Sequence, residues 1–259
     1  MIRTAIILAA FAAALPFAAP DARAADMAEN WPSVISHDRE GPIGFGSGWY
    51  LRGDIGMSLY SDPDVSYSGT GMAMTGSNGK LDKTWAAGVG VGSRIGRWFR
   101  TDLTFDYHEA TDYTAGGTSE CATGATCSIS AAARFSTYTL LLNGYVDLPA
   151  WQEITPYVGV GVGGSFVDWE DYAEVHRCVT GCTGIGRTAY STDDRWKLAY
   201  AAMVGASIDV APQIKIDAGY RFLGIGDGNI VDSRPGLQTA RYESLYAHEL
   251  RLGLRYEIE

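Results

Sequence analysis

Apolar and polar side chains alternate with a period of two along most of the chain after residue 48. The clearest example lies between Phe99 and His108, where most odd positions are apolar or aromatic and the even positions are charged or polar. A helix would mix the two classes on every face, so the alternation predicts strands with one apolar and one polar face. Segments of about ten residues with this pattern are typical of membrane-spanning strands. Eight strands are predicted, near residues 49–60, 85–94, 99–108, 135–148, 154–166, 196–209, 214–222 and 246–256.

The lengths of the connections indicate how these strands are joined. The short connections are 95–97, 149–153 and 211–213, and the long ones are 61–83, 109–134, 167–195 and 224–243. An even number of strands joined by alternating short and long links is typical of outer-membrane barrels. The predicted fold is therefore all-β: an eight-stranded antiparallel transmembrane up-and-down β-barrel with short periplasmic turns and four long extracellular loops.

A soluble barrel would show the same alternation with its apolar face turned inward, but the aromatic residues distinguish the two. On the apolar face they fall at the two ends of the strands, in two girdles. The girdle at the short-turn end contains Trp49, Phe99 and Tyr256, and the girdle at the loop end contains Trp85, Tyr107, Tyr138, Phe166, Trp196 and Phe222. Such girdles mark the two interfaces of a membrane, so the apolar face is predicted to meet lipid.

The polar face carries charges of both signs with glycines between them, which suits the inside of a narrow barrel where opposite charges pair. The predicted lumen ion-pair network consists of Arg52, Asp54, Arg94, Arg100, Asp102, Asp106, Lys215, Asp217, Arg221, Glu249, Arg251 and Arg255. Arg52-Gly53-Asp54 also spells a cell-adhesion tripeptide, but both charged side chains are predicted to point inward, so we interpret it as part of this network. Because eight strands enclose only enough space for side chains, the lumen is expected to be plugged.

The beginning of the chain indicates export. Arg3 precedes an apolar stretch over residues 5–19, and small residues suited to signal-peptidase cleavage lie at 22–24. A transmembrane anchor would need roughly 20 apolar residues, and this stretch is shorter. We therefore predict a signal peptide over 1–24, a periplasmic N-terminal tail over 25–48 and a barrel domain over 49–259, located in the cell outer membrane after Sec-type export.

Four cysteines occur as two close pairs in the predicted long loops, Cys121 with Cys127 and Cys178 with Cys182. In an oxidising compartment such pairs form local disulfides. The alternative is a metal site, because His176 lies near the second pair, although zinc sites usually space their cysteines more tightly. We predict disulfides, and neither a metal nor a cofactor. The formal net charge of −10 argues against nucleic-acid partners.

Three strand-sized stretches resemble a known family. They are GWYLRGDIG at 48–56, PYVGVGVG at 156–163 and LRLGLRY at 250–256. They resemble the first, fifth and last strands of the opacity-type and Omp25/Omp31-like outer-membrane β-barrel family of alphaproteobacteria. The resemblance covers about residues 45–259 and implies an eight-stranded barrel inserted by the outer-membrane assembly machinery. Such proteins usually end on an aromatic residue, whereas this chain ends Tyr256-Glu257-Ile258-Glu259.

Catalysis would require a nucleophile beside a base, or paired carboxylates in a cleft. The histidines His37, His108, His176 and His248 are instead scattered over the tail, a strand end, a loop and a lipid-facing position, so we predict that the protein is not an enzyme. The main hypothesis is a plugged, ion-paired barrel that contributes to envelope integrity and surface properties. The alternatives are a surface adhesin or ligand-binding protein that acts through its loops, and a narrow porin. Predicted partners are outer-membrane lipid and lipopolysaccharide, the assembly machinery during biogenesis, and a host or surface ligand.

Overall fold

The computed structural model describes residues 48–68, 79–122, 124–190, 192, 194–231 and 239–258, with the side chains of 67–68, 121–122 and 239 excepted. The predicted signal peptide, and all of the predicted tail except Gly48, lie outside these residues. Within the described ranges the chain has no helix long and apolar enough to cross a membrane.

The described residues form strands joined by turns and short irregular segments. In chain order the strands are β1 (Trp49–Tyr60), β2 (Val65–Ser68), β3 (Lys80–Leu81), β4 (Thr84–Ile95), β5 (Phe99–Ala122), β6 (Ala125–Asp147), β7 (Ile154–Thr180), β8 (Ile185–Ala189), β9 (Arg195–Ala211), β10 (Ile214–Ile225), β11 (Gly228–Asn229), β12 (Thr239–Tyr242) and β13 (Leu245–Ile258). The eight predicted strands correspond to β1, β4, β5, β6, β7, β9, β10 and β13.

These eight strands close into one antiparallel barrel. Their order around the ring is β1-β4-β5-β6-β7-β9-β10-β13, and the pairing of β13 with β1 closes it. The stagger of the strands is found by passing from each residue to its partner on the next strand, once around the ring. This path leads from Leu59 back to Trp49 on the same strand, a stagger of ten residues. This stagger corresponds to a strand tilt of about 40°. The predicted barrel is confirmed, and its closure pairs the wall strands on both sides.

Between the two girdles the wall is apolar outside and polar inside. In β1, Leu51 and Ile55 are exposed on the outer surface, whereas Tyr50 and Asp54 are buried in the lumen. Lipid offers no hydrogen bonds, so the closed backbone ladder must satisfy every peptide group of the wall. At the short turn between β4 and β5, Gly96 has a φ of 68°, a left-handed conformation that glycine adopts readily. The strands can therefore reverse direction within a few residues at the periplasmic end.

The structure differs from the sequence expectation in two of the four long connections. Loops are expected over 109–134 and 167–195, but β5, β6 and β7 continue far beyond the outer girdle as paired strands. From Tyr138 in the girdle to Ala125 at the tip, β6 covers about 43 Å at ~3.3 Å per residue. β8 pairs with the outer end of β7, and β3 pairs with β5. We name this sheet the extracellular extension (residues 80–81, 109–135 and 167–189).

Two β-bulges lie at the base of the extracellular extension. In β5 the register shifts between His108 and Thr111. In β7 the register shifts between Glu170 and Ala173, which pair with Arg134 and Ala132 of β6. Asp171 lies within this shift and has a φ of 57°. A bulge adds one residue to its strand, so the side chains that follow it turn to the other face. Odd-numbered residues of β5 consequently face outward in the membrane and inward in the extension, whereas β6 keeps its odd-numbered residues buried throughout.

The inside of the extracellular extension is mainly apolar and extends over the outer mouth of the barrel. Its centre, which we name the aromatic cluster, consists of Tyr60, Tyr113, Phe135, Trp169 and Tyr242, one from each of five strands. The ring centroids lie 4.8 Å apart for Phe135 and Trp169, 5.2 Å for Tyr60 and Phe135, and 6.0 Å for Trp169 and Tyr242. A small sheet of β11, β12 and β2 adds Val65, Ala240 and Tyr242 to this core. The hydrophobic core therefore lies across the mouth of the lumen.

Candidate functional site

The outermost layer of the lumen holds two arginines between two carboxylates. Arg221 Nη1 lies 2.7 Å from Asp106 Oδ2, and its Nε lies 2.7 Å from Glu249 Oε2. Arg251 Nη2 lies 2.5 Å from Asp106 Oδ1, and its Nη1 lies 3.3 Å from Glu249 Oε2. Each carboxylate thus binds both guanidinium groups, which offsets the cost of removing these charges from water. On the side toward the aromatic cluster, His108 Nε2 lies 2.8 Å from Glu249 Oε1.

The middle layer is centred on Arg52. Its Nη2 lies 2.7 Å from Asp54 Oδ1, and its Nη1 lies 2.9 Å from Asp102 Oδ2. Asp102 also accepts a hydrogen bond of 2.8 Å from Asn143 Nδ2, and Tyr145 Oη lies 3.0 Å from Arg52 Nη1. The side chains of Arg52 and Asp54 are only 10% and 2% exposed. The cell-adhesion tripeptide at 52–54 is therefore directed into the lumen and is not presented on the surface.

The layer nearest the periplasm combines ion pairs with aromatic rings. Arg100 Nε lies 2.9 Å from Asp147 Oδ1, and its guanidinium carbon lies 4.7 Å and 5.0 Å from the ring centroids of Tyr145 and Tyr157. Its two terminal nitrogens have no hydrogen-bond partner among the described residues, so the two rings are their main favourable contact. Arg255 Nη2 lies 3.3 Å from Asp217 Oδ1.

Two further ion pairs lie at the periplasmic rim, where they are partly exposed. Arg94 Nη2 lies 2.6 Å from Glu257 Oε1, and Lys215 Nζ lies 2.5 Å from Asp209 Oδ1. Every residue of the predicted network thus faces a residue of opposite charge. The predicted network leaves out Asp147, Asp209, Glu257 and His108, which complete these pairs. These four residues also lie on the polar face of their strands, which is the feature that could have identified them from the sequence.

The lumen is closely packed around these charges. A Cβ atom added to Gly88 would lie 2.1 Å from Asp106 Oδ1, and one added to Gly92 would lie 2.4 Å from the ring of Tyr50. These glycines therefore provide the space that the side chains of neighbouring strands occupy. A cavity bounded by Arg52, Tyr157 and Arg251, among others, measures about 20 Å³, which is room for about one water molecule.

The predicted girdle residues face outward at the two ends of the wall. Trp49, Phe99 and Tyr256 are exposed at the periplasmic end. Trp85, Tyr107, Tyr138 and Trp196 are exposed at the outer end, and Phe166 and Phe222 are half-buried there. Ile258, which follows the last aromatic residue of the chain, pairs with Trp49 and is also exposed. The chain therefore continues the lipid-facing pattern to its last described residue.

The cysteines lie in the extracellular extension. Cys178 and Cys182 form a disulfide at the end of β7, close to the turn into β8. Cys127 is also disulfide-bonded, but the side chain of its predicted partner Cys121 lies outside the described residues. Among the described residues no group of three or more His, Cys, Asp or Glu side chains could hold a metal ion. The disulfide at the tip restrains the connection between β7 and β8.

A closed ring of eight strands with an apolar wall and a charged lumen agrees with a known family. The family model described as outer membrane protein beta-barrel domain matches residues 7–257. The chain belongs to this family. The resemblance inferred from the sequence is thereby confirmed, and the protein is located in the outer membrane.

Relatives of this outer-membrane barrel protein cover most of the chain. An uncharacterized protein of Brucella abortus (strain 2308) is 30% identical over 247 residues, covering 82% of this chain and 85% of the relative. A protein of Rickettsia bellii (strain OSU 85-389) that is named "Putative adhesin" is 27% identical over 213 residues, covering 81% and 88%. The outer membrane protein OprG from Pseudomonas aeruginosa is 14% identical with a TM-score of 0.50, covering 82% of this chain and 97% of OprG, which shows a shared fold.

Proposed function

We propose that the protein is a closed, non-conducting barrel that contributes to the integrity and surface properties of the outer membrane. The observation that carries the proposal is the double obstruction of its lumen. Paired charges fill the membrane-spanning part, and the aromatic cluster lies across the outer mouth. Eight-stranded barrels have an interior just wide enough for side chains. The protein would therefore act through its wall and its extracellular surface, and not as a route for solutes.

Conductance measurements on the purified protein in a planar lipid bilayer test this proposal. We expect no steady conductance from the unaltered protein. The variant with Phe135→Ala and Trp169→Ala removes two of the five rings of the aromatic cluster. It should also stay closed, because the paired charges below the cluster remain. Heat-dependent gel migration checks that both proteins are folded barrels.

Discrete, steady openings of the unaltered protein would contradict the proposal and favour a narrow porin. Openings of the double variant alone would assign the seal to the aromatic cluster and remove the role proposed for the paired charges. We expect lipid and lipopolysaccharide as neighbours of the wall, and the outer-membrane assembly machinery as the partner during insertion. That the protein is not an enzyme stays a prediction.

A second function, attachment to a host or surface ligand, is favoured by the construction of the extracellular extension. It is a sheet with its own apolar core, and its tip carries Val179 and Ile185, which are 59% and 71% exposed. The disulfide between Cys178 and Cys182 restrains the same tip. Exposed apolar side chains on a rigid support are typical of contact surfaces. The name of the Rickettsia bellii relative agrees with this function.

Exposed-tip variants test the attachment function without altering the core. Replacing Val179 and Ile185 together by Ser should lower attachment of cells that display the protein, with unchanged barrel assembly. Thr180→Ser on the same tip is the matched control and should attach normally. Unchanged attachment by the double variant would count against a role of this tip.

A further inference from the structure

The outward face of the extracellular extension changes in composition with distance from the outer girdle. The register aligns Thr114, Ala132, Ala173 and Ala189 across β5, β6, β7 and β8. The next row outward contains Gly116, Ser130, Val175 and Arg187, and the row beyond it contains Thr118, Ser128, Arg177 and Ile185. Small and hydroxyl-bearing side chains on β5 and β6 therefore lie beside two arginines on β7 and β8.

A groove of about 540 Å³ lies on this face. Thr114, Gly116, Ser130, Val175 and Arg187 are among the residues that line it. Its volume falls within the range of roughly 300–1,000 Å³ that is typical of small-molecule sites. The hydroxyl groups of Thr114 and Ser130 lie on one side of the groove, and the guanidinium of Arg187 lies on the other.

The two arginines are positioned to act on one anion. Arg177 lies opposite Ile185, two residues from Arg187 along β8, and such diagonal neighbours on one face are about 7–8 Å apart at their Cα atoms. Both side chains are exposed, and neither has an ion-pair partner among the described residues. Two unpaired cations side by side are unexpected in a chain with a net charge of −10. Guanidinium groups bind phosphate and carboxylate through paired hydrogen bonds.

We propose that this arginine face, defined by the groove together with Arg177 and Arg187, binds the anionic core saccharide of lipopolysaccharide in the surrounding outer leaflet. The arginines would bind phosphate or carboxylate groups, and the hydroxyl groups of Thr114 and Ser130 would hydrogen-bond to the sugar. The proposal rests on the proposed role of the extracellular extension as a contact surface, and it adds the site and the chemical class of the ligand.

The position of the arginine face favours this occupant over a ligand that approaches from outside. From Tyr138 in the outer girdle to Ser130 in the groove, β6 covers about 26 Å at ~3.3 Å per residue. With a strand tilt of about 40° the groove lies roughly 20 Å above the membrane interface. Because the face is the outer surface of the barrel wall, it points sideways along the membrane. Its neighbours at that height are the saccharides of lipopolysaccharide molecules anchored beside the barrel.

Binding of soluble saccharides to the full barrel in lipid nanodiscs tests the proposal. The probe is the lipid-free core oligosaccharide of purified lipopolysaccharide. A neutral malto-oligosaccharide of similar length and a heparin-derived tetrasaccharide serve as comparisons. We expect the core oligosaccharide to bind and the neutral one not to bind. Replacing Arg177 and Arg187 together by Gln should weaken binding of the core oligosaccharide roughly tenfold, because charge-assisted hydrogen bonds are lost.

Two further variants separate the site from general effects of charge. Ala132→Leu fills the groove from an exposed position and should also weaken binding. Arg241→Gln removes the same charge from an exposed arginine of β12 and should leave binding unchanged. Equal binding of the neutral saccharide, or unchanged binding after loss of both arginines, would overturn the proposal. Binding of the heparin fragment without the core oligosaccharide would also overturn it, because the ligand would then come from another surface.

The proposed function and this inference can fail separately. Steady conductance would reject the closed barrel and leave saccharide binding to be judged by its own measurement. Normal binding together with lost attachment in the exposed-tip variants would support both. A closed, attachment-competent barrel whose two-arginine variant still binds the core oligosaccharide would reject only the inference.

Discussion

The membrane-spanning wall and the extracellular extension are built from the same continuous strands but have opposite insides. In the wall, the lumen holds Arg221, Asp106 and Glu249, while leucine, valine and tryptophan face outward. In the extension, Ile129, Phe135 and Trp169 are buried inside, while serine, threonine and arginine face outward. The outer face of each part suits its surroundings. The wall presents apolar side chains to lipid, and the extension presents mainly polar side chains to water.

The difference teaches that the surroundings, and not the strand itself, determine which face is apolar. The change occurs within a few residues of the outer girdle. β5 achieves it with a bulge, which turns the side chains over. β7 already buries Val167 and Trp169 on the face that buries Ser165, before its bulge. β6 achieves it through its sequence, since its buried residues change from Phe135 to Thr137 and Thr139. The two parts should therefore respond differently to the same type of substitution.

The largest effect is expected from Arg221→Met in the lumen. This change leaves Asp106 and Glu249 with fewer cationic partners in a buried site, which should destabilise the barrel by about 3–5 kcal/mol. Lys215→Met is the matched control, because its partner Asp209 is 49% exposed, and it should cost at most about 1 kcal/mol. Urea unfolding in lipid vesicles, followed by tryptophan fluorescence, measures both. Similar losses for the two variants would contradict the view that burial sets the importance of the pair.

Ile129→Ala should destabilise the extension without affecting the wall. Ile129 is 1% exposed, and truncation of a buried isoleucine costs about 2–5 kcal/mol. Hydrogen exchange should become faster in the outer parts of β5, β6 and β7, and it should stay slow between the girdles. Faster exchange throughout the barrel would mean that the two parts unfold as one unit.

Substitution of one glycine in each region tests how closely the two regions are packed. Gly88→Ala should cost about 1–3 kcal/mol, because its added carbon would collide with Asp106 in the crowded lumen. Gly116→Ala should be within about 1 kcal/mol of neutral, because the nearest atom, Ile129 O, would be 3.8 Å away. The urea unfolding midpoint measures both, and equal losses would refute the difference in packing.

The smallest effect concerns the pH dependence of the extension. Burial, together with the carboxylates of Asp194 and Glu170, raises the pKa of Asp168. The folded state therefore binds this proton more tightly than the unfolded state, and stability is lost as the pH rises through the raised pKa. Asp168→Asn should raise the Tm slightly at pH 7, and the gain should vanish below about pH 4. Asp227→Asn, at a carboxylate paired with Arg241, should show no such gain.

Sequence reasoning predicts the wall well and the extension poorly. Between the girdles every second residue must suit lipid, so alternation marks the strands, and β1 matches its predicted range of 49–60. In the extension the buried residues include small ones such as Ala131 and Ala133, which give little contrast with the serines and threonines outside. The sequence does contain one indication of the change. Ile129 and Phe135 are apolar at odd positions, whereas the apolar residues of β6 within the membrane, such as Tyr138, are at even positions.

Alternation identifies most of the lumen charges, but it does not give their pairing. Alternation places Arg52 and Asp102 on the polar face of their strands. Their ion pair joins β1 to β5, which are separated by β4 in the ring. Which charges meet across the lumen depends on the stagger of ten residues around the ring, and one sequence contains no direct information about that stagger. Glu257 was missed as the partner of Arg94 for the same reason.

The continuity of β5, β6 and β7 from the periplasmic turns to the outer tip has a mechanical consequence. A pull on the tip away from the membrane has its larger component along these strands, which are tilted by about 40°. Much of the load therefore falls on many hydrogen bonds between the strands at once. The disulfide of Cys178 and Cys182 restrains the connection between β7 and β8, where such a pull would be applied. Force applied at the cell surface is therefore transmitted into the wall, which is held by the surrounding bilayer. A load applied to the tip would therefore be shared among β5, β6 and β7.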